Sequence, residues 1–300
     1  MITMVVPTRN RAYTLRSVLE SYLSQDRVSE LILVDDNGED DTRSVLEAVA
    51  TRYPLVRCRY LRNETRRGAS YGRQRGAEAA SNDFVLYCDD DEYLEAGYAA
   101  TCLGLLQQPR IGAVSGRRVY MRDGEQPDQA VRRFGSGSRR RRYFEHFLLQ
   151  ICNGARFTGV IEVPFTIANI LTRKELVARF PFDEHYARGN GYREESDFQM
   201  NLYVNGYSIL VTNEAHTIHM PYSQVRTGGQ RIDRWRKFRW SVFYNNYFIE
   251  KYYPAYRRRS GKRYPVWVVK LVSGAYLYWR GFVRPPIYAV LIRALTKKAA

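Results

Sequence analysis

The chain has 300 residues, of which 45% are hydrophobic and 26% charged, enough apolar material to bury a large core and too much for a chain disordered overall. Lysine and arginine number 47 against 31 acidic residues, a formal charge of +16; charge alone does not choose among nucleic acid, anionic lipid and a phosphorylated substrate. The four cysteines, Cys58, Cys88, Cys102 and Cys152, have no CxxC spacing and lie mostly in apolar stretches, which argues against a zinc site or disulfide frame and for reduced core residues in a cytoplasmic protein.

The first half alternates strand and helix signals in the manner of a parallel α/β sheet. Strands are expected at residues 3–7, 30–35, 56–61, 83–88 and 112–119, with helices at 11–24, 41–51, 68–80 and 96–107. In the first helix Leu15, Val18, Leu19, Tyr22 and Leu23 recur at helical spacing and face the sheet. Residues 122–142, rich in Gly, Ser and Arg, read as a loop. A strand is expected at 166–171, a helix at 195–204 and a strand at 207–212. The start of the chain lacks the basic, long-apolar pattern of a signal peptide. No segment is a transmembrane helix, since Val266–Tyr278 is too short and carries Lys270.

In an open parallel sheet, ligands sit outside the carboxyl ends of the strands. Polar clusters follow four strands in turn: Thr8-Arg9-Asn10-Arg11, Asp35-Asp36-Asn37, Arg62-Asn63, and Asp89-Asp90-Asp91. Three successive carboxylates after Tyr87 and Cys88 need a cation, a helix N-terminus or water to offset their repulsion. A divalent metal at a strand end is the sharpest reading; a solvated turn capping the next helix is the plain one.

Val5-Val6-Pro7-Thr8-Arg9-Asn10-Arg11, Leu33-Val34-Asp35-Asp36-Asn37, Asp89-Asp90-Asp91 and Glu194-Glu195-Ser196-Asp197-Phe198, in this order, resemble the successive signatures of family 2 glycosyltransferases of the GT-A fold, over roughly residues 1–220. The resemblance implies a Rossmann-like, mostly parallel central sheet flanked by helices. It implies a catalytic domain over residues 1–225, with a nucleotide-binding half at 1–120 and an acceptor half at 121–225, followed by a helical region at 226–300. Pro7, Thr8, Asn10 and Arg11 would line the nucleoside pocket, Asp36 would accept from the base N3–H, and Arg73 would reach the nucleotide. For Asp36 a turn or helix cap is the alternative, and for Arg73 and its neighbouring glycines a helix that packs on the sheet. Aligned on Tyr93-Leu94, Cys88 falls where the family has its first acid. Asp90 is then the principal ligand for Mn²⁺ or Mg²⁺, Asp89 contacts the ribose or a metal-bound water, Asp91 joins the metal set, and His219 is a further ligand with His216 in reserve.

Matched position by position, Glu195 becomes the general base that takes the proton of an acceptor hydroxyl. The alternative for Glu194 and Glu195 is acidic residues favoured by a helix dipole. The donor implied is a UDP- or dTDP-sugar and the acceptor a glycan or a lipid-linked glycan, with inversion at the transferred carbon, in cell-envelope polysaccharide or glycolipid synthesis. From Arg231 onward aromatic and basic residues interleave, with basic runs at residues 231–239 and 257–263 and a pair at Lys297 and Lys298. That composition suits a peripheral contact with an anionic membrane, here the inner face of the plasma membrane, or helices packed on the catalytic domain; nucleic acid is disfavoured. The competing readings are a sugar-phosphate nucleotidylyltransferase, which lacks its glycine-rich basic loop here, and a non-enzymatic lipid- or nucleic-acid-binding module.

Overall fold

The structure, a computed structural model, describes residues 1–134, 142–153, 155, 157–228 and 231–284. Of a basic run that the sequence also carries at residues 139–142, the arginines at 139–141 lie outside the described residues, as does the pair Lys297 and Lys298. The chain runs β1 (Ile2–Thr8), α1 (Ala12–Leu23), β2 (Val28–Asp35), α2 (Thr42–Ala50), β3 (Arg57–Arg62), α3 (Ala69–Ala79), β4 (Phe84–Tyr87), β5 (Glu92–Leu94), α4 (Tyr98–Leu105) and β6 (Ile111–Tyr120). It continues with α5 (Pro127–Phe134), β7 (Phe144–Glu145), β8 (Gln150–Ile151), β9 (Val160–Val163), β10 (Leu171–Arg173), α6 (Lys174–Arg179), α7 (Glu194–Val204), β11 (Ser208–His219), α8 (Arg234–Ser260) and α9 (Val266–Tyr278).

Among the described residues nine strands form one mixed sheet in the order β3-β2-β1-β4-β10-β6-β11-β5, with β9 also on β11. β3, β2, β1 and β4 are mutually parallel, and β10 is antiparallel to both its neighbours. The strands alternate as a sheet covered on both faces requires. Met4, Val6, Leu31 and Leu33 enter one apolar cluster with α1, α2 and α4, while Val5, Ile32, Val34 and Tyr87 enter the other, which reaches α7 and α8. α3 lies close on β1: a Cβ on Gly76 would overlap Val5, which is why the helix carries glycine there.

Three local expectations change. The segment read as a loop contains α5, which has Pro127 at its first position, Asp128 in its first turn, and Arg132 and Arg133 in its last, all favourable for a helix. The strand expected at 166–171 shifts to Leu171–Arg173, because the backbone of 166 and 167 bonds to a side chain instead. Gln199 accepts from the Thr166 N–H at 2.8 Å and donates to the Ile167 carbonyl at 3.0 Å. β11 runs on past the expected end at 212, through an irregularity between Thr212 and His216, so its first part pairs with β9 and its last part with β5. This extension puts His219 opposite Glu92.

The C-terminal helices pack on the catalytic core. Asp197, on α7, is buried and accepts from Tyr186 at 3.0 Å, Tyr252 at 2.8 Å and Lys251 at 2.9 Å, the last two from α8. No described helix is long and apolar enough to cross a membrane.

Candidate active site

The register aligns Thr8 of β1 with Asp35 of β2, and Val5 of β1 with Tyr87 of β4, so the polar clusters that follow these strands emerge at one sheet edge. Pro7 backs the edge against α3, with its ring 3.1 Å from where a Cβ on Gly72 would stand. Asn10, at φ +54°, accepts from the Glu39 N–H at 2.7 Å and so ties the β1 loop to the β2 loop. Asp35 is held by Tyr60 at 2.5 Å and the Gly38 N–H at 2.8 Å. Asp36 accepts on Oδ1 from Asn63 at 2.9 Å and the Arg67 N–H at 2.7 Å, and on Oδ2 from the Gly68 N–H at 2.8 Å. It therefore shapes the approach to α3 and keeps acceptor capacity on Oδ2.

Cys88 does not stand among the acids. Its side chain is fully buried in the cluster with Leu86, Tyr98 and Cys102, and burial raises its thiol pKa well above the usual value. The acidic surface starts at Asp89, whose carboxylate lies between Arg73 at 2.8 Å and Arg118 at 3.1 Å. Asp90 accepts from Thr8 at 2.7 Å and Arg11 at 2.8 Å, and Asp91 from Arg11 at 2.6 Å. Glu92, fully buried, pairs with Arg118. Burial pushes the Asp90 carboxyl up to about 6, Arg11 opposing and Asp91 reinforcing. Burial would raise Asp91 too, but His219 and Arg11 together hold it below the ordinary range. Around Arg11, burial works against the charge, and Asp90 and Asp91 more than offset it, so its pKa rises.

His219 brings a nitrogen to this cluster. Its Nδ1 lies 2.7 Å from the Met220 carbonyl, which only accepts, so Nδ1 carries a hydrogen and Nε2 is the nitrogen left for the acids. That Nε2 stands 3.9 Å from Asp91 Oδ1, and one donor atom each of Asp91, Glu92 and His219 lies within 4.8 Å of the others. An oriented imidazole beside hard carboxylate oxygens fits Mn²⁺ or Mg²⁺. His216 turns elsewhere, with Nδ1 2.7 Å from Glu95.

Across the edge, α7 begins with Glu194 and Glu195. Arg73, fully buried, donates to Glu194 at 2.6 Å and to Asp89 at 2.8 Å, and the same nitrogen lies 3.9 Å from Glu195. Ser70 adds a bond to Glu194 at 3.0 Å. Burial raises the Glu195 carboxyl to about 7, Glu194 adding to the shift and Arg73 opposing it. A carboxylate poised near neutral pH, partly open to solvent, has the properties of a general base.

The family model for glycosyl transferase family 2 matches residues 3–163, more than half of the chain. The chain belongs to glycosyl transferase family 2. Among curated proteins, the GalNAc(5)-diNAcBac-PP-undecaprenol beta-1,3-glucosyltransferase of Campylobacter jejuni is 33% identical over 103 residues, covering 34% of this chain and 33% of that protein. The UDP-Glc:alpha-D-GlcNAc-diphosphoundecaprenol beta-1,3-glucosyltransferase of Escherichia coli is 31% identical over 94 residues, 31% of this chain and 35% of that one. The chain thus matches about a third of the length of these relatives. Among solved structures, a mannosyltransferase from Pyrobaculum calidifontis in complex with GDP-Man and Mn²⁺ superposes with a TM-score of 0.58 at 18% identity, over 100% of this chain and 80% of that one. That likeness confirms the GT-A fold.

For this family 2 chain, the structure brings Thr8, Arg11, Arg73, Asp89, Asp90, Asp91, Glu195 and His219 to one edge, while Pro7, Asn10 and Asp36 shape the loops behind it. Sequence reasoning missed Arg118 and Glu92. The available signal was the pair Arg117-Arg118 inside an otherwise apolar strand, since charge in a buried strand demands a partner. The raised Glu195 pKa carries a stability consequence. A carboxyl that ionises near pH 7 when folded and near pH 4.3 when unfolded destabilises the fold as pH rises through that window. Glu195→Gln is therefore expected to be more stable than the wild type at pH 8, by about 1–3 kcal/mol after allowance for solvent screening. The difference should vanish near pH 4, as read by urea unfolding at both pH values; a pH-independent difference would contradict the assignment.

Proposed function

We propose that the chain transfers a sugar from a UDP- or dTDP-sugar to the hydroxyl of a glycan or lipid-linked acceptor, with inversion at the anomeric carbon, in cell-envelope polysaccharide or glycolipid synthesis. The observation that carries this reading is Glu195, poised near pH 7 and facing Asp89 across Arg73. Glu195 takes the proton of the acceptor hydroxyl as its oxygen bonds to the anomeric carbon, and the bond to the nucleoside diphosphate breaks on the opposite face; a single displacement inverts the centre. Asp91 and His219 would hold Mn²⁺ or Mg²⁺, with Asp90 beside them. When bound, the ion neutralises charge on the departing diphosphate. Where the expectation centred on Asp90, the grouping of an Asp91 oxygen with His219 Nε2, in which Asp90 has no part, supports Asp91 as the principal ligand. A uridine or thymidine base is supported by the acceptor capacity left on Asp36 Oδ2 and by the UDP-Glc donor in the name of one relative.

The lipid-linked acceptor is supported by undecaprenol in the names of two relatives, and a peripheral contact with an anionic membrane by the outer face of the C-terminal helices. Trp235, Trp267, Leu271 and Trp279 are exposed in this region, as are Arg263, Arg280 and Arg284. Indole rings and cations together suit the head-group layer.

Two measurements check these assignments. In Mn²⁺-dependent turnover of a UDP-sugar, Glu195→Gln should lower the rate by about 10²–10⁴-fold while donor affinity is kept, and Asp91→Asn or His219→Ala should abolish the Mn²⁺-dependent thermal shift; a near wild-type rate for Glu195→Gln removes it as base. With vesicles, the protein should sediment with phosphatidylglycerol but not phosphatidylcholine, and Trp267→Glu with Leu271→Glu should release it; equal sedimentation with both lipids would refute the charge-assisted contact.

A further inference from the structure

Arg11 is placed where a nucleoside-pocket residue was expected, yet its guanidinium turns to the acids. One nitrogen, Nη1, donates to both Asp90 at 2.8 Å and Asp91 at 2.6 Å, and the side chain is only 12% exposed. The Asp91 carboxylate it holds by Oδ2 is the same one whose Oδ1 faces His219. A guanidinium and a divalent ion within a few ångströms repel each other strongly in so buried a cluster. Both therefore compete for one pair of carboxylates.

The other nitrogen, Nη2, fastens a second element. It donates to the Thr227 carbonyl at 2.6 Å, in the strap of residues 221–228 that leads from β11 to α8. The strap is held by Tyr13 in the first turn of α1, whose hydroxyl accepts from the Arg226 N–H at 2.8 Å and the Thr227 N–H at 3.1 Å, and on the β1 loop by the Thr227 hydroxyl, which donates to the Asn10 carbonyl at 3.2 Å. Gly228, at φ +120°, lies so close to the guanidinium that a Cβ there would overlap it. The strap thus closes directly over Arg11 at Thr227 and Gly228, in the segment that follows the strand ending at His219.

We infer that Arg11 is a tethered cation that occupies the acid cluster until a divalent metal displaces it, and that its departure loosens the 221–228 strap from the end of β1. The inference rests on the metal reading of the same site. Arg11 then sets the metal affinity, because part of the ion's binding energy goes to expelling the guanidinium. By linkage, whatever draws Arg11 away tightens metal binding, and metal binding frees the strap by the same factor.

The test uses Mn²⁺ alone on metal-free protein, with calorimetric titration for affinity and hydrogen exchange for the Arg226 and Thr227 amides. Arg11→Gln should bind Mn²⁺ at least about tenfold tighter than wild type, while Arg11→Lys, which keeps the charge, should stay near wild type. Mn²⁺ should speed exchange of the two amides in the wild type, whereas in Arg11→Gln they should already exchange fast. Equal or weaker Mn²⁺ binding in Arg11→Gln, or wild-type amides indifferent to Mn²⁺, overturns the inference and leaves the metal site standing. Mn²⁺ binding to neither protein overturns both. Should Arg11→Gln fail to fold, the wild-type exchange with and without Mn²⁺ decides.

Discussion

The buried guanidinium of Arg73 is the constraint on which the site depends. A fully buried cation is tolerable only when paired and hydrogen-bonded, and Arg73 finds its partners in two places far apart in sequence: Asp89 after β4 and Glu194 at the start of α7, 121 positions away. The pairing ties the half of the fold that carries the polar strand ends to the half that carries Glu195. It also fixes the charge that Glu195 feels, because the same nitrogen that bonds Asp89 is the nearest cation to Glu195. Arg73 thus ties the element that carries the proposed base to the acid edge and moderates the rise that burial and Glu194 impose on its carboxyl.

The rest of the edge repeats the pattern with less balance. Asp89, Asp90, Asp91, Glu92, Glu194 and Glu195 face Arg11, Arg73 and Arg118, an excess of carboxylates that leaves the cluster electrostatically hungry for a cation. Burial first, and the neighbouring carboxylates after it, raise the pKa values of Asp90 and Glu195. Compensation comes from beneath α7, where Asp197, one turn from the start of the helix, is gripped by Lys251 and Tyr252 of α8. The aromatic C-terminal helices are therefore part of what holds Glu195 in place, as well as a surface facing outward.

Much of this was legible in the sequence because it is written locally. Strand alternation such as Met4 and Val6 against Val5, and polar clusters directly after each strand, need only neighbouring residues to be read. The role proposed for Glu195 comes from its motif. What escaped depends on distant partners. Gln199 claims the backbone at residues 166–167 and moves a strand; β11 runs on through an irregularity past its expected end; Arg118 becomes meaningful only once Glu92 is known to be buried beside it. Cys88 lies in the core, as expected of the four cysteines, and the acidic surface begins one residue later.

The most direct test of this account is a carbon-13 NMR titration of the Glu195 side-chain carboxyl, assigned by its loss in a Gln variant, in the wild type and in Arg73→Gln. The account predicts a midpoint near pH 7 in the wild type, moving higher when Arg73 loses its charge. A wild-type midpoint near the ordinary glutamate value of about 4.3, or one that Arg73→Gln leaves in place, would contradict it.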